Sequence, residues 1–523
     1  MSANYRSIAE YYHERTKYAP ETIAAQSQGL DWETQPVPFK EYKWGRDYPL
    51  KPYLVERSRT VCAGESSRAC LPQPGSEAFQ TAWWERLSRL LFCSYGLTAR
   101  IPTPTGEPTY LRAAPSAGGL YPAEIYLIAR GTAPLPAGLY NYQPRTHSLL
   151  CFWDSSPWSD LRAACFWHPA LDAVDLALVI TGVFYRSAWR YQDRAYRRIC
   201  LDIGHLLGNL ELAAACNDWR PHLLTGFADD RLNQLLYLDP DQEGALAVIL
   251  LADRLRVEQN LPITRTTQPS ARHIPETDLP AGTLLTALHL ASQIPADAAD
   301  IQPWTQDITP PTDKYNFPFC TRLACQTQPI AWGEALEGLE HTLLKRRSTR
   351  AYTGGSLTYE QLIALLDFTY QPQHYVEQGL DGTPDYCDLQ LIESFVVVTA
   401  IEGLESGCYY YAPQTQELRQ IRFKNFRREL HYLCLGQELG RDAAAVVFHT
   451  ADLQAAVDRY GDRAYRYLHL DAGHLGQRLN LAAIYLELGV SGIGGFFDDQ
   501  VNEVLGIPVE EAVLYITTLG QPR

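Results

Sequence analysis

Several stretches of this chain gather side chains that suit an anionic or flat ligand. In KRRSTRAY at 345–352, Arg346, Arg347 and Arg350 surround the hydroxyls of Ser348 and Thr349. Guanidinium forks and hydroxyls offer a phosphate several charge-assisted donors, and a solvated basic turn has the same composition. In RAAPSAGGLYPAEIYLI at 112–128, Pro115, Ser116, Ala117 and Gly118 make a loop ahead of a strand. Glycine there lets a backbone approach a flat ligand closely, although an ordinary turn reads alike. In GVSGIGGFFDD at 489–499, Gly492, Gly494 and Gly495 could present backbone N–H groups to a cofactor. This is not a dinucleotide fingerprint, because the glycines follow a helix and no βαβ unit surrounds them. The chain ends in TTLGQPR at 517–523, where Arg523 is either a further phosphate ligand or part of a frayed terminus.

Two kinds of pair could handle protons. Asp202 with His205, and Asp471 with His474, sit three residues apart on a helix and so share a face. A buried, hydrogen-bonded helix contact explains them without a metal, since no further ligand lies nearby in sequence. Arg190–Tyr191 and Arg459–Tyr460 each precede a helix. A cation beside a phenol lowers the cost of ionising it, so these tyrosines could act as general bases, or simply pack the helix start.

All of these residues hang on a duplicated frame. RAYRRICLDIGHL at 194–206 returns as RAYRYLHLDAGHL at 463–475, an offset of 269. At that offset 191–214 and 460–483 agree at 15 of 24 positions, and GLYNYQP (138–144) pairs with GCYYYAP (407–413). GFADDRLN (226–233) likewise pairs with GFFDDQVN (495–502), with no gap needed. A period this long is a tandem duplication of a whole α/β unit rather than a solenoid repeat. Each copy runs from a tyrosine-rich strand to a buried strand (176–185 or 445–450) and a long helix. In the first copy that helix is apolar at Tyr196, Ile199, Ile203, Leu207, Leu210 and Ala214, and on nearly every other side, so it should be buried between the copies. The expected architecture is α+β: two units, each a mixed sheet flanked by helices, forming an intrachain pseudo-dimer. The units span 76–258 and 331–523. Segment 1–75 reads as an N-terminal extension belonging to neither copy, and 259–330 as a proline-rich linker that holds one helix near 282–293.

The totals bound the function. A net charge of −15 argues against a general nucleic-acid binder, and leaves room for a local basic pocket. Twelve scattered cysteines without a C-x-x-C motif read as reduced core thiols of a cytoplasmic protein. The N-terminus lacks a signal-peptide core, and apolar runs such as LALVITGVF at 176–184 are too short to span a bilayer.

Taken together, the motifs resemble the nitroreductase-like flavoproteins, and more narrowly the branch that dehydrogenates azoline rings in ribosomally made peptides. The markers are YHERTKYAPET (12–22), LDWETQPVPFKEY (30–42), SYGLT (94–98), PSAGGLYPAEIYLI (115–128) and RAYRYLHLDAGHLGQ (463–477); RRSTR is shared by all nitroreductases, while the N-terminal markers and PSAGGLYP are narrower. Length and tandem arrangement look most like a cyanobactin thiazoline oxidase. The resemblance implies FMN where two units meet. It assigns Arg346, Arg347, Ser348, Arg350, Gly494, Gly495 and Arg523 of copy two to the cofactor, with Pro115, Ser116, Ala117 and Gly118 of copy one. One FMN per chain is then expected, and the mirror-image site should be empty. The branch has a Lys-Tyr pair as its base, where this chain has Arg190–Tyr191 and Arg459–Tyr460. Arginine does not give up its proton, so the branch's mechanism implies that the tyrosine takes the proton and the arginine stabilises the phenolate. Tyr191 is preferred over Tyr460 because it belongs to the copy with the PSAGG loop. The implied partners are an azoline-containing precursor peptide and O2; a further homodimer is compatible with the sequence. The alternatives are a nicotinamide-dependent nitro or quinone reductase, and a non-catalytic peptide-binding scaffold.

Overall fold

The computed structural model describes residues 5–26, 29–54, 75–102, 108–131, 134–256, 264–275, 278–305 and 312–523. The first copy supplies β1 (Arg46–Pro49), β2 (Leu97–Ile101), β3 (Thr109–Arg112), β4 (Ala123–Ala129), β5 (Gly138–Gln143), β6 (Ser148–Trp153), β7 (Leu176–Val183), β8 (Trp219–Leu224) and β9 (Glu243–Asp253). The second supplies β10 (Thr321–Ala324), β11 (Glu393–Val398), β12 (Gly407–Ala412), β13 (Glu417–Arg422), β14 (Ala445–Asp452), β15 (Gly489–Ile493) and β16 (Glu511–Gly520). They form two seven-stranded sheets of matching order, β1-β6-β5-β4-β7-β9-β8 and β10-β13-β12-β11-β14-β16-β15, with β2 and β3 paired separately. A mixed sheet was expected, yet every ladder is antiparallel. Three strands in each copy follow one another through short turns, and such turns can join only antiparallel neighbours.

The long helices, Ala195–Cys216 and Ala464–Tyr485, pack against each other between the sheets and are buried along nearly their whole length. They cross at two glycines. A Cβ on Gly204 would lie 2.2 Å from the Leu470 carbonyl, and one on Gly473 would lie 2.3 Å from that of Leu201. Only a missing side chain lets the backbones approach so closely. One apolar core runs through both copies around this crossing, while the outer face of each sheet carries its own cluster. The expected pseudo-dimer is therefore a shared core and not two finished domains in contact.

The repeated RAYR motif locks this arrangement reciprocally. Arg194 and Arg197 both reach Asp498 of copy two, at 2.9 and 2.8 Å. Arg463 and Arg466 both reach Asp229 of copy one, at 2.5 and 2.7 Å. All six side chains are buried, and removing one partner from such a cluster strands the other charges.

The segments read as extension and linker carry parts of the duplicated plan. Strand β1, from 1–75, joins the first sheet, and β10, from 259–330, joins the second. Helix Ile8–Arg15 has its counterpart in Leu284–Ala291. Beyond the first helix Tyr18 donates its N–H to Asp498 at 2.9 Å, and beyond the second Ile294 donates to Asp229 at 2.9 Å. Among the described residues one helical stretch, Phe184–Cys216, is long and apolar enough to cross a membrane, and 94% of its most apolar window is buried inside the protein.

Candidate cofactor and substrate site

A cavity of about 1310 Å³ opens where the two copies meet. Copy one contributes Pro115, Ser116, Ala117 and Gly118; copy two contributes Ser348, Arg350, Gly494 and Gly495. Tyr191 and Arg190 of copy one also line it. The structure thus brings together ten of the fourteen residues that the resemblance assigned to cofactor binding or catalysis. The other four lie elsewhere.

Arg346 and Arg347 tie the copies together from behind the cavity. Arg346 donates to the carbonyls of Ala113 (2.5 Å) and Arg112 (3.2 Å), just ahead of the Pro115–Gly118 loop. Its Nη1 is buried without a partner, and burial pushes the guanidinium down to about 10. Arg347 spends its guanidinium on Thr98, at 3.0 Å to both the hydroxyl and the carbonyl. Arg523 donates its backbone N–H to the Ala351 carbonyl beside the RRSTR turn, and its side chain is exposed. Tyr460 stands in the mirror-image pocket, where its hydroxyl donates to Asp388 at 2.8 Å.

The Asp–His pairs share a helix face but not a partner. Asp202 accepts from the Ser116 hydroxyl (2.5 Å) and the Ala117 N–H (3.0 Å), pinning the copy-one loop. Burial raises this carboxyl to about 7, against the pull of those hydrogen bonds. Asp471 does the same in copy two, accepting from the N–H groups of Cys387 and Asp388, and is also raised to about 7. A loop therefore exists at the corresponding place in copy two. His205 lies 2.8 Å from Gln477 and 2.8 Å from the Tyr515 hydroxyl. Burial holds His205 near 4, so it is neutral and accepts from Tyr515 on one nitrogen while donating to Gln477 on the other.

Three features of the site were not picked out from the sequence. Arg198, on the repeated helix, lines the cavity and stacks on Tyr191, its guanidinium carbon 4.2 Å from the ring centroid. Its signal was available: it is one of the nine positions where 191–214 and 460–483 differ, with Tyr467 as its counterpart. The outer wall comes from two N-terminal stretches, 14–23 and 29–34. It is fastened by Lys17 to Asp499 (2.6 Å), and Trp189 and Tyr185 hold the Asp31 and Thr34 carbonyls. The third feature is what fills the mirror pocket.

That pocket was expected to be empty, and the chain itself fills it. The carbonyl of Thr266 accepts the N–H groups of Thr225 (2.7 Å) and Gly226 (2.9 Å), the counterparts of Gly494 and Gly495. The Thr266 hydroxyl donates to the Tyr386 carbonyl at 2.7 Å, on the loop that Asp471 pins. Tyr467 donates to the Gln268 carbonyl at 2.8 Å. Residues 266–268 are buried, so protein backbone occupies the space that a ligand would need.

Residues 85–251 and 343–521 each match the nitroreductase family. Two proteins described as putative nitroreductases resemble the chain. One, from Methanocaldococcus jannaschii, is 32% identical over 183 residues, which is 35% of this chain and 90% of that protein. The other, a crystal structure from Anabaena variabilis, is 62% identical and superposes with a TM-score of 0.91 over 99% of this chain and 100% of that one. A chain of the Escherichia coli microcin synthetase McbBCD complex also matches, at 19% identity and a TM-score of 0.28 over 47% of this chain and 87% of its own. That likeness is too slight to bear on chemistry. With both matched segments forming seven-stranded units around one inter-copy cavity, the chain belongs to the nitroreductase family of flavin-type oxidoreductases.

Proposed function

We propose that the protein binds FMN between its copies and dehydrogenates thiazoline or oxazoline rings in a precursor peptide, with O2 taking up the electrons. The observation that carries this reading is the cavity. It exceeds the roughly 300–1,000 Å³ of an ordinary small-molecule pocket, so it has room for a cofactor and a ring carried on a chain. It also holds a tyrosine hydroxyl that none of the described residues engages.

The residues present fit FMN. Ser348 and Arg350 offer donors to its phosphate, with Arg523 beside the same turn. Within the lining itself, the Nε of Arg198 is a buried donor lacking an acceptor, as expected beside a ligand's oxygen or nitrogen. The Pro115–Gly118 loop of copy one and Gly494–Gly495 of copy two line the same cavity, and their glycines let a flat ligand approach the backbone. Arg347 joins the copies and does not hold the ligand. When bound, FMN supplies the acceptor for the hydride that leaves the azoline ring.

The chain's own residues handle the proton. Oxidation removes a proton from the ring carbon that was the peptide α-carbon and a hydride from its neighbour, leaving an aromatic azole. Tyr191, once it has lost its own proton to solvent, is the phenolate that accepts that proton. Burial raises its phenol above the ordinary value, and the Arg198 and Arg190 cations offset part of that rise. At Tyr460 burial and the bonded Asp388 carboxylate push the phenol up, with Arg459 and a Thr267 hydrogen bond opposing them. The N-terminal wall restricts water from the ring once the peptide is seated.

The test is to purify the protein, count FMN per chain from its absorbance, and incubate it with a thiazoline peptide. One FMN per chain and the loss of two hydrogens per ring are expected. A holoprotein that leaves the peptide mass unchanged overturns the azoline reading. The family itself favours a second reading, reduction of nitro compounds or quinones, for which turnover with NADPH and no peptide is the sign. Protein that stays colourless after FMN is added would point to a peptide-binding scaffold.

A further inference from the structure

The helix that repeats most faithfully carries an exchange at the cavity itself, Arg198 in copy one for Tyr467 in copy two. Arg198 is only 7% exposed. A buried guanidinium is ordinarily paired with a carboxylate. Among the described residues Arg198 has no such partner. Its Nη2 donates to the Gly494 carbonyl at 2.8 Å, and its Nε is buried without an acceptor. Its flat face lies on the Tyr191 ring, well inside the range at which a cation and an aromatic ring attract. The contact is tight at both ends. A Cβ on Gly494 would come within 1.8 Å of Arg198 Nη1, and one on Gly118 within 2.9 Å of the Tyr191 hydroxyl.

We propose that Arg198 is a positioning residue for Tyr191: anchored to the Gly494 carbonyl of copy two, it fixes the copy-one phenol over the Gly118 loop and supplies the positive charge against which the phenol gives up its proton. The proposal rests on the reading of Tyr191 as the proton acceptor. It explains why the base needs both copies: the cation beside it is aimed by a carbonyl of the other one. In the mirror pocket Tyr467 reaches the Gln268 carbonyl instead, and Tyr460 faces Asp388. Among the described residues no guanidinium takes the place of Arg198 there.

The groups that act on Tyr191 come from three elements. Arg190 is on its own helix, Arg198 and Asp202 are on the long helix, and Tyr18 is on the N-terminal segment. Asp202 and Tyr18 oppose ionisation while the two arginines favour it. Arg190 is exposed and lies farther off, its guanidinium carbon 5.8 Å from the ring centroid, so water screens it more than Arg198.

The experiment uses the full-length flavin-loaded protein labelled with 13Cζ-tyrosine, with the Tyr191 resonance identified by its loss in Tyr191→Phe. It compares wild type with Arg198→Met and Arg198→Lys. Arg198→Met should raise the Tyr191 titration midpoint by about one pH unit or more at unchanged flavin content, and Arg198→Lys should restore part of the shift. The limb along which flavin reduction by a thiazoline peptide rises with pH should move by the same amount. Should Arg198→Met not fold, Gly494→Ala pushes the guanidinium aside without removing its charge, and a smaller shift in the same direction is expected. A midpoint that stays put overturns the proposal, whatever happens to the peptide. A midpoint that moves while the peptide is left unoxidised supports the role of Arg198 and overturns the azoline reading instead.

Discussion

The two pockets where the copies meet share a frame and differ in contents. Both are bounded by a loop pinned by a helix aspartate, Asp202 or Asp471, and by a second loop held through an Arg–Asp–Arg cluster. One is an open cavity that presents Tyr191 under a guanidinium. The other is threaded by Thr266–Gln268, with its tyrosine bonded to Asp388. Features present in both pockets therefore belong to the scaffold, and function is to be sought among those present in one. The rule reassigns Asp202: because Asp471 does the same work in the filled pocket, a carboxyl raised to about 7 is not by itself a catalytic base here.

The tyrosine pair should show the largest difference. Tyr191→Phe is expected to slow azoline oxidation by about 10²–10⁴-fold with flavin retained, the usual worth of a proton-transfer group, and Tyr460→Phe by less than about twofold. Equal losses in steady-state kinetics would break the comparison. Next come the buried clusters. Asp498→Ala and Asp229→Ala each strand two guanidiniums, and each should cost about 3–5 kcal/mol in denaturant unfolding. Only Asp498→Ala should also release flavin, because its helix follows Gly494–Gly495; flavin fluorescence in the supernatant reports this. Smaller still is the plug. Thr266→Val removes the donor to the Tyr386 carbonyl and should cost about 1–3 kcal/mol without altering the flavin count. A second FMN per chain in that variant would show that the plug alone silences the mirror pocket.

The smallest effect is a pH slope. Asp202 and Asp471 both bind a proton more tightly folded than unfolded. The stability this brings is complete below the usual carboxyl value of about 4 and is lost as pH rises through about 7. Asp202→Asn and Asp471→Asn should flatten unfolding free energy over that range to a similar degree. A change from only one of them would show that the two loops are not pinned alike.

Much of this plan was legible because the duplication keeps one offset from 138 to 233, so residue pairs could be compared directly. Outside that span the offset drifts. Ile8–Arg15 and Leu284–Ala291 stand 276 apart and share little sequence, so the first helix of each copy was read as extension and linker. Only their matching bonds to Asp498 and Asp229 reveal the relation. Within the site, RRSTR was legible as a motif but not as a division of labour. Three arginines in five residues look equivalent until a strand and a loop of the other copy claim two of them.

The sequence alone determined that the chain holds two copies of one unit, that their long helices meet, and which copy carries each half of the candidate site. Repetition and apolar periodicity are local, and burial follows from them. The tertiary structure decided what each shared position does. It gave Arg346 and Arg347 to the inter-copy joint, set Arg198 against Tyr191, and ran the connecting segment through the mirror pocket. These outcomes depend on which backbone carbonyls and N–H groups lie opposite one another across the pseudo-dimer. No periodicity records that, because the partners are hundreds of residues apart and belong to the backbone, which every residue shares.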